Sequence, residues 1–293
     1  MLSLVWFVVG GLFGWVAARG GPGVQRAWPV FLRAQILATS ATLSLVAAWR
    51  LTSARELVGP VFLSAGLWVI LGAALLTRRG RTPGQESLEA WAVGPNSGFW
   101  VVPTATAFAG SSGTMIAVLA NVLTTAWGAV CIHLMRRDAP IRQHAATSWV
   151  DQSPLLASGV GLALHLAGPA PGWTADALTL AGPLLAFSGA AMFMGSVVHP
   201  HNLSVAHSPH ALRRWAWLTV LRVAYFGLVA LAAGAASSTA LEVVAVLTAL
   251  SAPSFQPVQL AVLYGYRSEV VVTAVRWGWL LAPFGLGAAA LVR

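Results

Sequence analysis

The chain has 293 residues, 57% of them hydrophobic and only 9% charged, where an ordinary soluble domain carries about 25% charged residues. Its net charge of +9 comes from 17 arginines, no lysine and 8 acids. The arginines are scattered in ones, twos and threes between apolar blocks, which excludes the clustered basic face of a nucleic-acid-binding protein. A single cysteine excludes a disulfide framework and a thiolate metal cluster. What remains is an all-α integral membrane protein with the lipid bilayer as its solvent.

A spanning helix needs about 20 mostly apolar residues. Ten blocks meet or approach that length: 2–17, 30–49, 57–77, 91–108, 112–135, 153–168, 178–198, 213–233, 241–263 and 268–291. The first lacks a charged leader region and reads as a retained helix. Its Gly10-x-x-x-Gly14 pattern fits a close helix contact, with a dimer interface as one candidate partner.

The fourth and ninth blocks are broken. The fourth reads Gly94-Pro95-Asn96-Ser97-Gly98-Phe99-Trp100-Val101-Val102-Pro103-Thr104, and the ninth Ser251-Ala252-Pro253-Ser254-Phe255-Gln256-Pro257-Val258-Gln259. Proline removes a backbone donor and clashes with the preceding turn. Unwound backbone survives at membrane depth only where protein or a watery cavity covers it.

In the fifth block Cys131 and His133 are two apart and diverge on a helix, which disfavours a nucleophile–base pair. Asn121, in the same block, suits a hydrogen bond between helices. The connection before the eighth block holds His199, His201, His207 and His210. With no carboxylates at a paired helical interval, it reads as a solvated loop and not a metal site. No cofactor or metal is expected.

The eighth and tenth blocks carry Arg222 and Arg276, nine and eight residues in. At 1.5 Å per residue both lie roughly 12–14 Å deep, close to the middle of a core about 30 Å thick. A deep ionisable side chain is a functional-site hypothesis by default. No acid lies at comparable depth: Glu89, Glu242 and Glu269 fall at segment ends. That argues against sodium/proton exchange and suits an anionic substrate such as a carboxylate. Alternatively, helix-end carbonyls at the breaks satisfy each guanidinium, or it snorkels to the surface.

Arg33, inside the second block, lies close enough to the surface to snorkel, and the remaining fourteen arginines set orientation. Arg19, Arg26, Arg78, Arg79, Arg81, Arg136, Arg137, Arg142, Arg213, Arg214 and Arg267 fall on one side, and only Arg50, Arg55 and Arg293 on the other. The positive-inside rule then puts both termini outside the cytoplasm.

Pro103 and Pro253 lie 150 residues apart. The same shift superposes segment 1 on 6 and 2 on 7. Segments 3 and 5 meet 8 and 10 with a further offset of about six. Five segments per copy is odd, so the second copy enters from the opposite face, and paired broken helices then point to a secondary-transporter site near the midplane.

The motif Asn96-Ser97-Gly98-Phe99-x-x-x-Pro103, followed by Gly110, resembles the fourth segment of the auxin efflux carrier family. That family is of the bile-acid/auxin/arsenite transporter type and includes bacterial permeases for small organic anions. The stretch from Pro253 through Ala261, Tyr264 and Gly265 is similar to its ninth segment. Pro154, Gly161, Pro171, Gly182 and Gly195 follow its sixth and seventh. The chain departs from it at Val101, where a glycine is usual, and in segment 2, which lacks a mid-helix proline.

The resemblance implies two inverted five-helix repeats, 1–145 and 146–293. Helices 1, 2, 6 and 7 would form a scaffold, and 3–5 with 8–10 a transport unit moving as an elevator. It also implies a homodimer in the cytoplasmic membrane. The substrate site would lie where segments 4 and 9 cross, around Asn96, Ser97, Pro103, Pro253, Gln256 and Gln259, with Arg222 and Arg276 as the cationic groups. The leading expectation is therefore a permease for a small organic anion, not an enzyme. A sodium-coupled symporter of the bile-acid type and a ligand sensor on the same fold are the alternatives.

Overall fold

A computed structural model describes residues 2–77, 81–140, 153–197, 208–254, 257, 260, 261, 264–267 and 269–292. It is helical, with no β-strand among the described residues. The helices are α1 (Leu2–Ala18), α2 (Pro22–Trp49), α3 (Val58–Leu76), α4 (Pro83–Val93), α5 (Val102–Asp138), α6 (Ser153–Ala167), α7 (Trp173–Val197), α8 (Pro209–Ala235), α9 (Thr239–Ala249), α10 (Glu269–Gly278) and α11 (Ala282–Val292). Among the described residues four stretches are long and apolar enough to cross a membrane: Ala54–Leu76, Ser97–Asp138, Pro209–Ala235 and Glu269–Val292. Apolar side chains also cover the outside, among them Val8, Leu12, Phe31, Leu180 and Leu231. Such a surface belongs to a membrane-embedded protein, since lipid does not penalise it.

Local chemistry sets the helix starts. Pro22, Pro83 and Pro209 stand in the first turns of α2, α4 and α8, where a missing N–H costs nothing. The hydroxyls of Thr82 and Ser208 accept from Gln85 N and Ala211 N, capping α4 and α8. Gly110 takes φ 59° inside α5 and turns the chain between two helical runs. Gly265 does the same at φ 71° before α10, a backbone state open to glycine at no steric cost.

Two groups of helices pack among themselves. In the first, α1 lies on α7 and α2 on α6 and α7. The second gathers α3, α4, α5, α8, α9, α10 and α11. In the first group a Cβ on Gly10 or Gly14 would collide with the carbonyls of Phe187 and Ala191. The Gly10-x-x-x-Gly14 face is therefore spent on α7 of the same chain and is not open to a partner. The groups meet where α7 lies against the helical run before Gly110: Gly182 faces Thr106 and Gly189 faces Phe99.

Polar contacts gather at both ends of the helices. At one end Trp49 Nε1 donates to Gly168 O at 3.2 Å and Arg50 Nη1 to Thr174 Oγ1 at 2.8 Å. At the other end of α3, Arg136 donates to Tyr264 Oη, Arg81 lines a cavity with Gly265, Tyr266 and Arg267, and Arg214 donates to Thr77 Oγ1.

Two differences from the sequence expectation bear on the breaks. Residues 83–90 are not a connection but most of α4. Hydropathy hides this half-helix because it carries Gln85, Glu86 and Glu89, and those two acids are buried. The fourth segment also breaks at Gly94-Pro95-Asn96, whereas Pro103 lies buried in the first turn of α5 and interrupts nothing.

Candidate functional site

The two breaks meet. Pro95 and Pro253 form an isolated antiparallel β-bridge, so two unwound stretches lie side by side between half-helices. The residue that faces Pro253 across the breaks is Pro95. The ring of Pro253 also lies 3.2 Å from where a Cβ on Gly278 would stand, which seats the end of α10 against the crossover.

Asn96 ties the breaks together. Its backbone N–H donates to Ser251 Oγ at 3.3 Å and its Nδ2 to Pro253 O at 3.2 Å. Its Oδ1 accepts from Phe99 N at 3.3 Å, capping the π-helical turn Ser97–Val101. Its carbonyl accepts from both Trp100 N and Val101 N. Asn96 therefore spends its side-chain polar atoms on backbone groups that a proline-broken helix would otherwise leave unpaired.

Arg222 reaches the same place from α8 and is 3% exposed. Its Nη1 donates to Val93 O at 2.7 Å, its Nε to Ala249 O at 3.0 Å and its Nη2 to Ser251 O at 3.3 Å. Val93 and Ala249 are the last residues of α4 and α9. Of the two roles open to Arg222 from sequence, this geometry matches satisfaction by helix-end carbonyls: the guanidinium faces backbone.

Arg276 sits in the last turn of α10, two residues before Gly278, and is half-buried. Its neighbour Trp277 points outward. Ser97 lines a void beside the crossover with Pro95, Val101, Thr124 and Thr248. That void holds about 10 Å³, room for about one water. Asn121 Oδ1 lies 4.0 Å from a Cβ built on Gly98, on the crossover side of α5. Gln256 and Gln259 lie outside the described residues, as do His199, His201 and His207. Among the described residues no three His, Cys, Asp or Glu side chains gather as a metal site.

Trp100 follows the break. Its ring packs edge-on against Phe7 of α1 at 5.4 Å and Trp279 at 5.8 Å. Its buried indole N–H has no hydrogen-bond partner among the described residues.

Sequence reasoning missed an ionic cluster at the arginine-rich end. Glu86 and Glu89, one turn apart on α4, are both buried and both bonded to Arg214 of α8. Arg214 also donates to Thr77 Oγ1 and Ala74 O. Arg81 pairs with Glu89 and meets His210 Nε2. The signal was present: two acids three residues apart share one helical face. Beside the cluster lies a cavity of about 440 Å³ lined by Arg81, Gln85, Asp138, His210, Arg267 and Glu269, among others. Tyr266, at its wall, donates to Met135 O. Burial, with help from Asp138 and Tyr264, pushes its hydroxyl up to about 12.

Compared with known proteins, the chain matches no family model and no curated protein.

Proposed function

We propose that this protein is a secondary transporter that moves a small organic anion, a carboxylate, across the cytoplasmic membrane. The observation that carries the reading is the crossover: two broken helices meet at Pro95 and Pro253 with a buried arginine between their ends. Helices that unwind at membrane depth are costly unless protein or a watery cavity covers the unwound backbone, and in secondary transporters such paired breaks form the substrate site.

Several pairs of features support two inverted five-helix repeats. Both α4 and α9 have 11 residues, and their first residues, Pro83 and Thr239, lie 156 apart. The positive-φ turns at Gly110 and Gly265 lie 155 apart. These separations match the offset of segments 3 and 5 against 8 and 10. The two packing groups support a scaffold of α1, α2, α6 and α7 against a transport unit made of the rest. Glycines at their contact, Gly182 and Gly189, favour movement because they leave little side chain to interlock. Alternating access is then a sliding of one group past the other. A multi-pass chain with both termini outside follows from the arginine bias, and a homodimer from the family resemblance.

The anion would meet the N-terminal end of the half-helix that begins at Ser97, where the dipole favours negative charge. Arg276, two residues before the Gly278 that abuts Pro253, supplies positive charge. Counterflow of labelled small carboxylates in proteoliposomes tests the function directly. Flux is expected from the wild type and at least a tenfold loss from Arg276→Ala at equal expression. Binding without flux would replace the carrier with a sensor. Unchanged flux in Arg276→Ala would remove that residue from the site.

A further inference from the structure

We propose that the Arg222 guanidinium is a tethered cation: it occupies the carbonyl-lined place at the crossover that a coupling ion would otherwise fill, so transport runs without sodium. The inference rests on reading the paired breaks as a transport site.

In transporters with discontinuous helices, unwound carbonyls and the C-terminal ends of half-helices coordinate sodium or a proton. Val93 O, Ala249 O and Ser251 O are such groups, drawn from both breaks, and all three accept from Arg222. Oxygens of this kind are the ligands a hard cation takes.

The charge balance agrees. Each helix C-terminus carries roughly half a negative charge. The ends of α4 and α9 together present about one, and one guanidinium cancels it. Every hydrogen-bond partner of Arg222 among the described residues is a carbonyl and none is a carboxylate. The cation is also fixed: it stands on α8, whose helix runs unbroken from Pro209 to Ala235, and it is buried. A dissociable ion can bind and leave with each cycle, which is how coupling arises. A covalently held one travels with the protein and couples nothing.

Thermal melting of the purified protein tests this without any substrate. Wild type, Arg222→Ala and Arg222→Lys are melted in sodium, potassium, choline and guanidinium chlorides at equal ionic strength. Guanidinium is kept at millimolar concentrations. The wild type is expected to melt at one temperature in sodium, potassium and choline. Arg222→Ala should fall by on the order of 10 °C and regain more than half of that, saturably, with guanidinium. Arg222→Lys, which keeps the charge on a different head, should fall between the two.

Saturable stabilisation of the wild type by sodium over choline would overturn the proposal. So would an Arg222→Ala protein that melts like the wild type, or one that no cation restores. If Arg222→Ala does not fold, the wild-type and Arg222→Lys melts decide. A lysine variant that melts below the wild type and is unmoved by sodium supports the tethered charge. One that sodium restores overturns it. Absence of carboxylate flux would refute the transport reading and leave these melts interpretable. Sodium stabilisation of the wild type would refute the tethered cation and leave the carrier standing.

Discussion

Asn96 can be taken apart one hydrogen bond at a time. Replacing it with alanine removes the cap on Phe99 N and the link from Nδ2 to Pro253 O, while its own backbone bonds stay. A lost side-chain cap costs about 1 kcal/mol, and a neutral hydrogen bond about 0.5–1.5 kcal/mol. Asn96→Ala should therefore lose about 2 kcal/mol. For a chain of this size, at about 2.1 cal/mol/K of unfolding entropy per residue, that lowers the melting temperature by about 3 °C. Asn96→Asp separates the two bonds, because it keeps the capping oxygen and turns the donor facing Pro253 into a second oxygen. If the link between the breaks matters, Asp melts no higher than Ala. Melting curves in detergent for the three proteins decide it. An aspartate variant as stable as the wild type, beside a weakened alanine variant, would refute the cross-break link and leave Asn96 as a cap alone.

The ionic cluster makes a second prediction. Arg214→Met strands the buried Glu86 carboxylate and leaves buried Glu89 with Arg81 as its one remaining ion-pair partner among the described residues, and breaking a buried pair from one side costs about 3–5 kcal/mol. Melting should show that loss, and adding Glu86→Gln and Glu89→Gln should recover most of it; a single variant that melts like the wild type would count against the cluster. A third concerns movement between the packing groups. A Cβ on Gly182 would lie 3.0 Å from Thr106 Cβ, so a slight parting gives the spacing of a disulfide. Thr106→Cys with Gly182→Cys should cross-link on oxidation, stop carboxylate counterflow and release it on reduction. Flux that continues through a complete cross-link would refute the sliding movement.

Parts of the site could be read in the sequence. Pro95, Asn96 and Pro253 stand out because proline and amide groups inside an apolar block have few structural uses. Arg222 and Arg276 stand out because charge at depth is costly. The half-helix α4 was not legible, and its concealment has a physical cause. Glu86 and Glu89 lower its hydropathy, yet Arg214 and Arg81 neutralise them in the interior. A hydropathy window sums along the chain, while neutralisation arrives from residues far away in it. The partner of Gly10 and Gly14 was hidden for the same reason: a small-residue face shows that something packs closely, not what.

Composition and spacing by themselves determined a membrane-embedded helical protein, its arginine-rich end and the two places where helices break. These follow from one-dimensional rules, since lipid demands apolar length and proline forbids continuous helix. Only the tertiary structure decided that Pro95 pairs with Pro253 and that the Arg222 guanidinium faces carbonyls from both breaks. A buried charge is defined by what surrounds it, and three oxygens brought in from residues 93, 249 and 251 have no neighbourhood in the sequence.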